Sequence, residues 1–278
     1  MSARLSAPLL LLAAAMAAAS SLAGLSGGAS SAGLWSRAKD LSARGRDAEA
    51  LPLVRALLAG TPDEPVLLLE EAKLLYATGD SAGAAASAER VLLLSAHPTE
   101  ACPLLGNAYH RMGDPGRALA AHRRCAKLDP RDPVMAFHYA NALEGYGRFE
   151  AASRIYAGIW ASSPGLAGAG ISLARVLLRQ GRAAEAARLG AEVFRHHPGL
   201  AGALVVEGQA LAALGKPGPA RRRLEAAVRL APAHPDVQRQ LARLLWDSGE
   251  RAAAAEAYAR LAALAPGDAE AAERSRLP

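Results

Sequence analysis

Small apolar residues recur along this chain in a fixed register of 34 residues. One series runs Ala38, Ala72, Gly106, Ala140, Ala174, Gly208 and Ala242, and a second runs Ala50, Ala84, Ala118, Ala152, Ala186, Ala220 and Ala254. Between them stands a third series that is glycine every time: Gly45, Gly79, Gly113, Gly147, Gly181, Gly215 and Gly249. A period of this length marks a supersecondary module that buries its apolar side only against its neighbours. The spacing predicts two antiparallel helices per module, with the small residues where the helix backbones approach most closely. The glycine falls in the turn between them, where positive φ ends the first helix. A proline then closes the module at Pro62, Pro130, Pro164, Pro198, Pro232 and Pro266, because it lacks the N–H that a continuing helix needs. The second module carries Ala96 at that place and Pro98 two residues later, so its second helix is expected to run slightly long.

The pattern resembles the tetratricopeptide repeat family from Ser31 to about Pro266. The third module carries that family's Leu105-Gly106, Tyr109, Gly113, Ala118 and Pro130, and the seventh carries Leu241-Ala242, Leu245, Gly249, Ala254, Tyr258 and Pro266. The bulky residue common at the fourth place of the family repeat is Leu34 in the first module, but Cys102, Ala136 and Gln238 elsewhere. The resemblance implies an all-α chain, a right-handed superhelical solenoid of seven helix-turn-helix repeats. These start near residues 31, 65, 99, 133, 167, 201 and 235 and together are expected to form one continuous curved rod with an inner channel. A stacked solenoid needs its ends shielded. Residues 267–278 supply a short capping helix, expected from Asp268 to about Arg276, and a tail. At the other end Leu34 and Leu41 have no preceding module and are expected to pack on the linker, a membrane or another subunit.

Residues 1–30 stand outside the repeat. After Arg4 no charge appears until Arg37, and Leu9 to Ala19 is an unbroken apolar stretch of eleven residues, the length of a secretory core segment. Ser21 and Ala23 suit the −3 and −1 places of a cleavage site, with Ala17 and Ala19 as a second choice. Export to the periplasm or the exterior is therefore the first expectation. The alternative is an uncleaved membrane anchor extended through Leu22 to Leu25, since a spanning helix needs about 20 apolar residues. No cysteine lies near the boundary, which excludes lipoprotein processing, and a single Arg without amphipathic spacing argues against a mitochondrial transit peptide.

Half of the residues are apolar but only 4% are aromatic, so the predicted core is built from Ala and Leu at close helix contacts. The formal charge is +6, one unit of it from Arg4. Runs such as Arg123-Arg124 and Arg221-Arg222-Arg223 fall on second helices, the outer surface of such a stack, and read as a solvated face. No aromatic stacking motif accompanies them, so no nucleic-acid partner is expected. The two cysteines, Cys102 and Cys125, fall near the start of the first helix and the end of the second helix of one module. They read either as a disulfide stapling the hairpin in an oxidising compartment or as two small buried thiols. His110, His122 and His138 lie around the same module but at no metal-ligand spacing, and His97, His196, His197 and His234 sit near the module ends. Phosphate-binding loops, nucleophile elbows and H-E-x-x-H pairs are missing from the sequence. No catalytic residue, metal or cofactor is expected.

In the family the first helices line the concave face, with their fifth, ninth and twelfth residues toward the groove, and the resemblance supplies that assignment here. The ninth residues are Lys39, Lys73, Asn107, Asn141, Arg175, Gln209 and Arg243, every one a donor and none acidic. A row of donors suits the carbonyls of an extended peptide or an acidic tail. Trp35, Tyr76, Phe137 and Trp246 in adjacent groove places suit its apolar side chains. One family variant clamps the terminal carboxylate of heat-shock chaperones. Asn107 and Asn141 match its asparagine, but Pro103 and Phe137 stand where a lysine would precede them, which argues against that clamp. The expected function is a non-enzymatic adaptor holding extended segments of other proteins in an envelope or secretion assembly. The alternatives are a membrane-anchored assembly factor and a polysaccharide-binding or enzyme-associated module.

Overall fold

The computed structural model describes residues 30–95 and 98–276. The expected export or anchor segment, residues 1–30, lies outside them but for Ser30, whose hydroxyl accepts the Gly33 N–H at 3.2 Å and caps the first helix. The chain divides between Leu128 and Asp129 into two compact units, a division that the uninterrupted register of glycines does not mark. Unit 1 holds three helix pairs: α1 (Ser31–Ala43) with α2 (Asp47–Gly60), α3 (Pro65–Thr78) with α4 (Ser81–Leu94), and α5 (Ala101–Arg111) with α6 (Pro115–Leu128). Unit 2 begins with α7 (Pro133–Gly145) and α8 (Phe149–Ser162), then α9 (Ala167–Arg179) and α10 (Ala183–His196). It continues with α11 (Ala201–Ala213) and α12 (Pro217–Leu230), α13 (Pro235–Asp247) and α14 (Arg251–Leu264), and ends on the short α15 (Ala269–Arg274). No strand occurs among the described residues. Within each unit consecutive helices pack on one another, which is the build of an all-α repeat solenoid.

The small residues stand at the helix contacts. Ala38, Ala72, Ala140, Ala174 and Ala242 on first helices, and Ala50, Ala84, Ala152, Ala186, Ala220 and Ala254 on second helices, have no accessible surface. Where the first-helix residue is glycine, a larger partner fills the space. A Cβ on Gly106 would lie 2.0 Å from Nε2 of the buried His122, and one on Gly208 would lie 2.8 Å from Leu224 Cγ. Leucines such as Leu68, Leu74 and Leu105 are buried around these contacts, each contributing about 1.5–3 kcal/mol by leaving water.

All seven periodic glycines have positive φ, from 71° to 95°. In six of the turns the residue after the glycine donates its N–H back to the first helix, as Arg148 does to the Leu143 carbonyl at 2.8 Å and Glu250 to Leu245 at 3.0 Å. That bond satisfies a carbonyl left over at the helix end. The second repeat differs: α3 runs on to Thr78, and Asp80 caps α4 by accepting the Gly83 N–H at 2.8 Å. The expectation of a longer second helix there is corrected. Helix α4 is 14 residues long, as α2 is, and ends at Leu94, while a 3₁₀ turn at Pro98–Glu100 leads into α5.

Cys102 on α5 and Cys125 on α6 are joined by a disulfide, with their Cα atoms 5.8 Å apart. At the other end α15 closes unit 2. Asp268 caps it through the Ala271 N–H at 3.0 Å and pairs with Arg239 at 2.9 Å, and Ala271 is buried against the α13–α14 hairpin. The helix stops at Arg274, two residues short of the extent expected from sequence.

Replacing Gly147 by Ala puts a Cβ on a backbone held at φ 74° and is expected to cost about 1–2 kcal/mol of stability in urea titration. Gly165→Ala, where φ is not positive and a Cβ meets nothing, should stay within about 0.5 kcal/mol of wild type. The double variant Cys102→Ala and Cys125→Ala opens a loop closed over 23 residues and is expected to lose about 3 kcal/mol.

Candidate peptide-binding face

The ninth residues of the repeats are not a row of free donors. Lys39 Nζ sits 3.2 Å from the carboxylate of the buried Glu70, and Lys73 Nζ 2.7 Å from Glu100. Arg243 Nη2 meets Glu270 at 2.6 Å and Gln209 Nε2 donates to Gln240 Oε1 at 2.8 Å. In each of these the acceptor belongs to the following helix pair or the cap, so the ninth residue clasps one repeat to the next. Arg175 reaches the other way, to Glu144 of the preceding repeat. The signal was present in the chain: the acceptor lies 31 or 27 residues along. That is three or seven short of one period, an offset that returns to the same stripe of the next first helix.

The aromatic residues are also occupied. The Arg111 guanidinium lies 3.6 Å from the Tyr76 ring centroid, and Trp246 has Arg251 at 3.9 Å and Arg274 at 4.5 Å. These stacked cations cover ring faces that an incoming apolar side chain would use. Trp35 has Lys39 Nζ at 5.6 Å. Asn107 is exposed on α5.

Phe137, Asn141 and Arg175 come together. With Glu144, Gly145, Ser172 and Arg179 they line an open cleft of about 530 Å³ between α7 and α9. One wall is a fixed polar cluster. Arg175 donates through Nε to Glu144 Oε1 at 2.9 Å and through Nη2 to Oε2 at 3.1 Å, a two-pronged pair, and Nη2 also reaches Ser172 Oγ at 3.2 Å. The Tyr156 hydroxyl, rising from α8, lies 2.5 Å from Asn141 Oδ1 and 3.0 Å from Glu144 Oε2. Burial pushes the Glu144 carboxyl up, but the hydrogen bonds from Arg175 and Tyr156 outweigh it and leave the group below its ordinary value. Burial, aided by the Glu144 charge, raises the Tyr156 phenol well above its ordinary value. The hydroxyl therefore stays protonated, and its one O–H is shared between the Glu144 carboxylate and the Asn141 amide.

The other wall is open. The Asn141 amide lines the cleft side of α7. The Phe137 ring packs against Tyr156 at 5.7 Å between centroids, and Gly145 adds no side chain to the rim. Arg179 has no carboxylate partner among the described residues and lies 5.5 Å from the Phe149 ring. The cleft thus offers an amide, a cation and an aromatic edge beside a rigid ion pair, a set suited to a polypeptide backbone with an acidic and an apolar side chain. Glu144, Ser172 and Arg179 escaped the sequence reading because the twelfth, sixth and thirteenth places are not polar in every repeat, so no periodic signal marks them.

Two tetratricopeptide repeat family models match the chain, one over residues 101–134 and one over residues 205–269. Among solved structures, a tetratricopeptide repeat protein from Parabacteroides merdae is similar at a TM-score of 0.68 and 14% identity, over 89% of this chain and 98% of that one. The C-terminal part of a repeat-containing protein from Cytophaga hutchinsonii gives 0.60 and 16%, over 87% and 99%. YrrB, described as a tetratricopeptide repeat protein with an unusual peptide-binding site, gives 0.51 and 17%, over 71% and 97%. A search of curated protein sequences found no match. The glycine turns and buried alanines, the two family-model matches and the shared fold support a tetratricopeptide repeat protein.

The lowered Glu144 pKa fixes a sign for pH dependence. A carboxyl whose folded pKa lies below its unfolded one contributes stability that is present above the unfolded value and lost as pH falls through the folded value. The gap in melting temperature between wild type and Glu144→Gln is therefore expected to be widest near neutrality. It should close on acidification below about pH 4, followed by thermal unfolding across a pH series.

Proposed function

We propose that this protein is a non-catalytic adaptor that holds an extended segment of another protein on its first-helix face, centred on the cleft between α7 and α9. The tetratricopeptide repeat fold is a scaffold for protein–protein interaction. The observation that carries the finer reading is the contrast between most of the ninth residues and the α7–α9 cleft. Lys39, Lys73, Gln209 and Arg243 are taken up by neighbouring repeats, whereas at α7 and α9 the Asn141 amide, Arg179 and Phe137 surround open space. An extended strand laid across it finds donors for its carbonyls and a cation for an acidic side chain.

The adaptor acts outside the cytoplasm, in an envelope or secretion assembly. The apolar stretch Leu9 to Ala19 supports export. The Cys102–Cys125 disulfide supports an oxidising compartment, where such bonds persist. Membrane anchoring through an uncleaved segment is the competing form of the same reading, and the intact mass of the cellular protein separates the two: a mature chain beginning near residue 24 means cleavage, and retained Met1 means an anchor.

Asn141→Ala combined with Arg179→Ala removes two polar groups from the cleft and leaves the Arg175 and Glu144 side chains in place. The variant is expected to lose at least about tenfold in partner recovery when native complexes are cross-linked and isolated. Recovery equal to wild type would remove the cleft from the interface.

A further inference from the structure

We propose that the exposed face of α6 docks on an anionic lipid bilayer. It lies on a second helix, apart from the first-helix cleft, so either reading can fail alone. Helix α6 carries Arg117, Arg123, Arg124 and Lys127 and no acidic residue. Arg117 is held by Asp114 at 2.6 Å. Arg123, Arg124 and Lys127 have no carboxylate partner among the described residues, and with Ala120 and Leu128 they line an open cleft of about 470 Å³. Arg124 also borders a second cleft that includes Glu89, but the Glu89 carboxylate accepts the Tyr109 hydroxyl at 2.9 Å.

Every other second helix carries at least one acidic residue, such as Glu49 on α2, Glu89 on α4 and Glu225 on α12, and several of their cations are paired. Arg55 on α2 pairs with Glu71 at 3.1 Å, Arg90 on α4 with Asp63 at 2.8 Å, and Arg223 on α12 with Glu207 at 2.8 Å. Arg221 is bound by both Glu225 and Glu250. Arg123 and Arg124 occupy the same repeat places as Arg55 and Arg90. On α6, which has no acid, Arg123, Arg124 and Lys127 are all exposed within five positions.

The surroundings favour lipid over other anions. Gly116 and Ala120 keep the exposed side of the helix low, and Leu128 stands 49% exposed beside Lys127, as Leu94 at the same place of the preceding repeat is 45% exposed. A cationic stripe edged by leucine is the composition of a surface that lies at the headgroup boundary. No aromatic residue lines the cleft to stack a base.

Flotation of the full-length protein with phosphatidylcholine vesicles, with and without phosphatidylglycerol, tests this. The wild type is expected to gain binding with phosphatidylglycerol and to lose that gain in high salt. Arg123→Gln, Arg124→Gln and Lys127→Gln together should cut the gain by roughly 100-fold, and Lys127→Gln alone by roughly fivefold. Arg222→Gln with Arg229→Gln on α12 should leave it unchanged. Binding that is equal in wild type and triple variant would place the attraction in residues 1–30 and overturn the proposal. So would wild type that ignores phosphatidylglycerol yet binds soluble polyglutamate through α6, which would make the partner an acidic polypeptide.

Discussion

The structure depends on how closely two helix backbones can approach at one point in each repeat. Residues such as Ala140 and Ala152 have no surface left to water, and any longer side chain there would separate the helices and lose contacts along their whole length. The other regularities serve that contact. The glycine turn reverses the chain within a few residues, so that the second helix starts beside the end of the first. The proline that follows stops the second helix before it overruns the next first helix. A core made this way needs few aromatic residues, and the chain has few. Gly106 and Gly208 show the same constraint from the other side: where the partner is as large as His122 or Leu224, the first helix gives up even a methyl group.

Polar residues of the first helices serve mainly to lock one repeat to the next. Lys39 with Glu70, Lys73 with Glu100 and Arg243 with Glu270 are partly exposed ion pairs, each worth at most about 1 kcal/mol. Their larger effect is on register, since each acceptor is reached from one repeat only. The fit is not uniform. Both oxygens of Glu71 are used, by Arg55 and by Ser87. In Glu207, at the same place four repeats later, Oε2 is buried without a partner, and burial raises its pKa against the pull of Arg223. The cleft between α7 and α9 differs from both cases, because its ion pair is complete while Asn141 and Arg179 still face open space.

The period, the turn glycines, the closing prolines and the cap were legible in the sequence because each follows from backbone geometry that every repeat must meet. The pairing of Lys39 or Arg243 was harder to read, because the acceptor stands 31 residues along in one case and 27 in the other, so no single offset marks it. The same holds for Arg111 on Tyr76 and for Arg251 and Arg274 on Trp246: each long side chain chose a neighbouring ring over solvent, a choice that spacing does not report. The division after Leu128 left no mark on the register either. Runs of basic residues looked alike in sequence, yet Arg221 and Arg223 are neutralised while Arg123 and Arg124 are not.

The most direct measurement of the central constraint is a leucine scan of Ala50, Ala84, Ala118, Ala152, Ala186, Ala220 and Ala254, with each variant's unfolding free energy read by urea titration. If helix approach at these points sets the fold, every replacement lowers stability by about 1–3 kcal/mol or more, whichever repeat carries it. Leucine tolerated without loss at several of the seven would show that the helices are held apart by something else, and the account would fail.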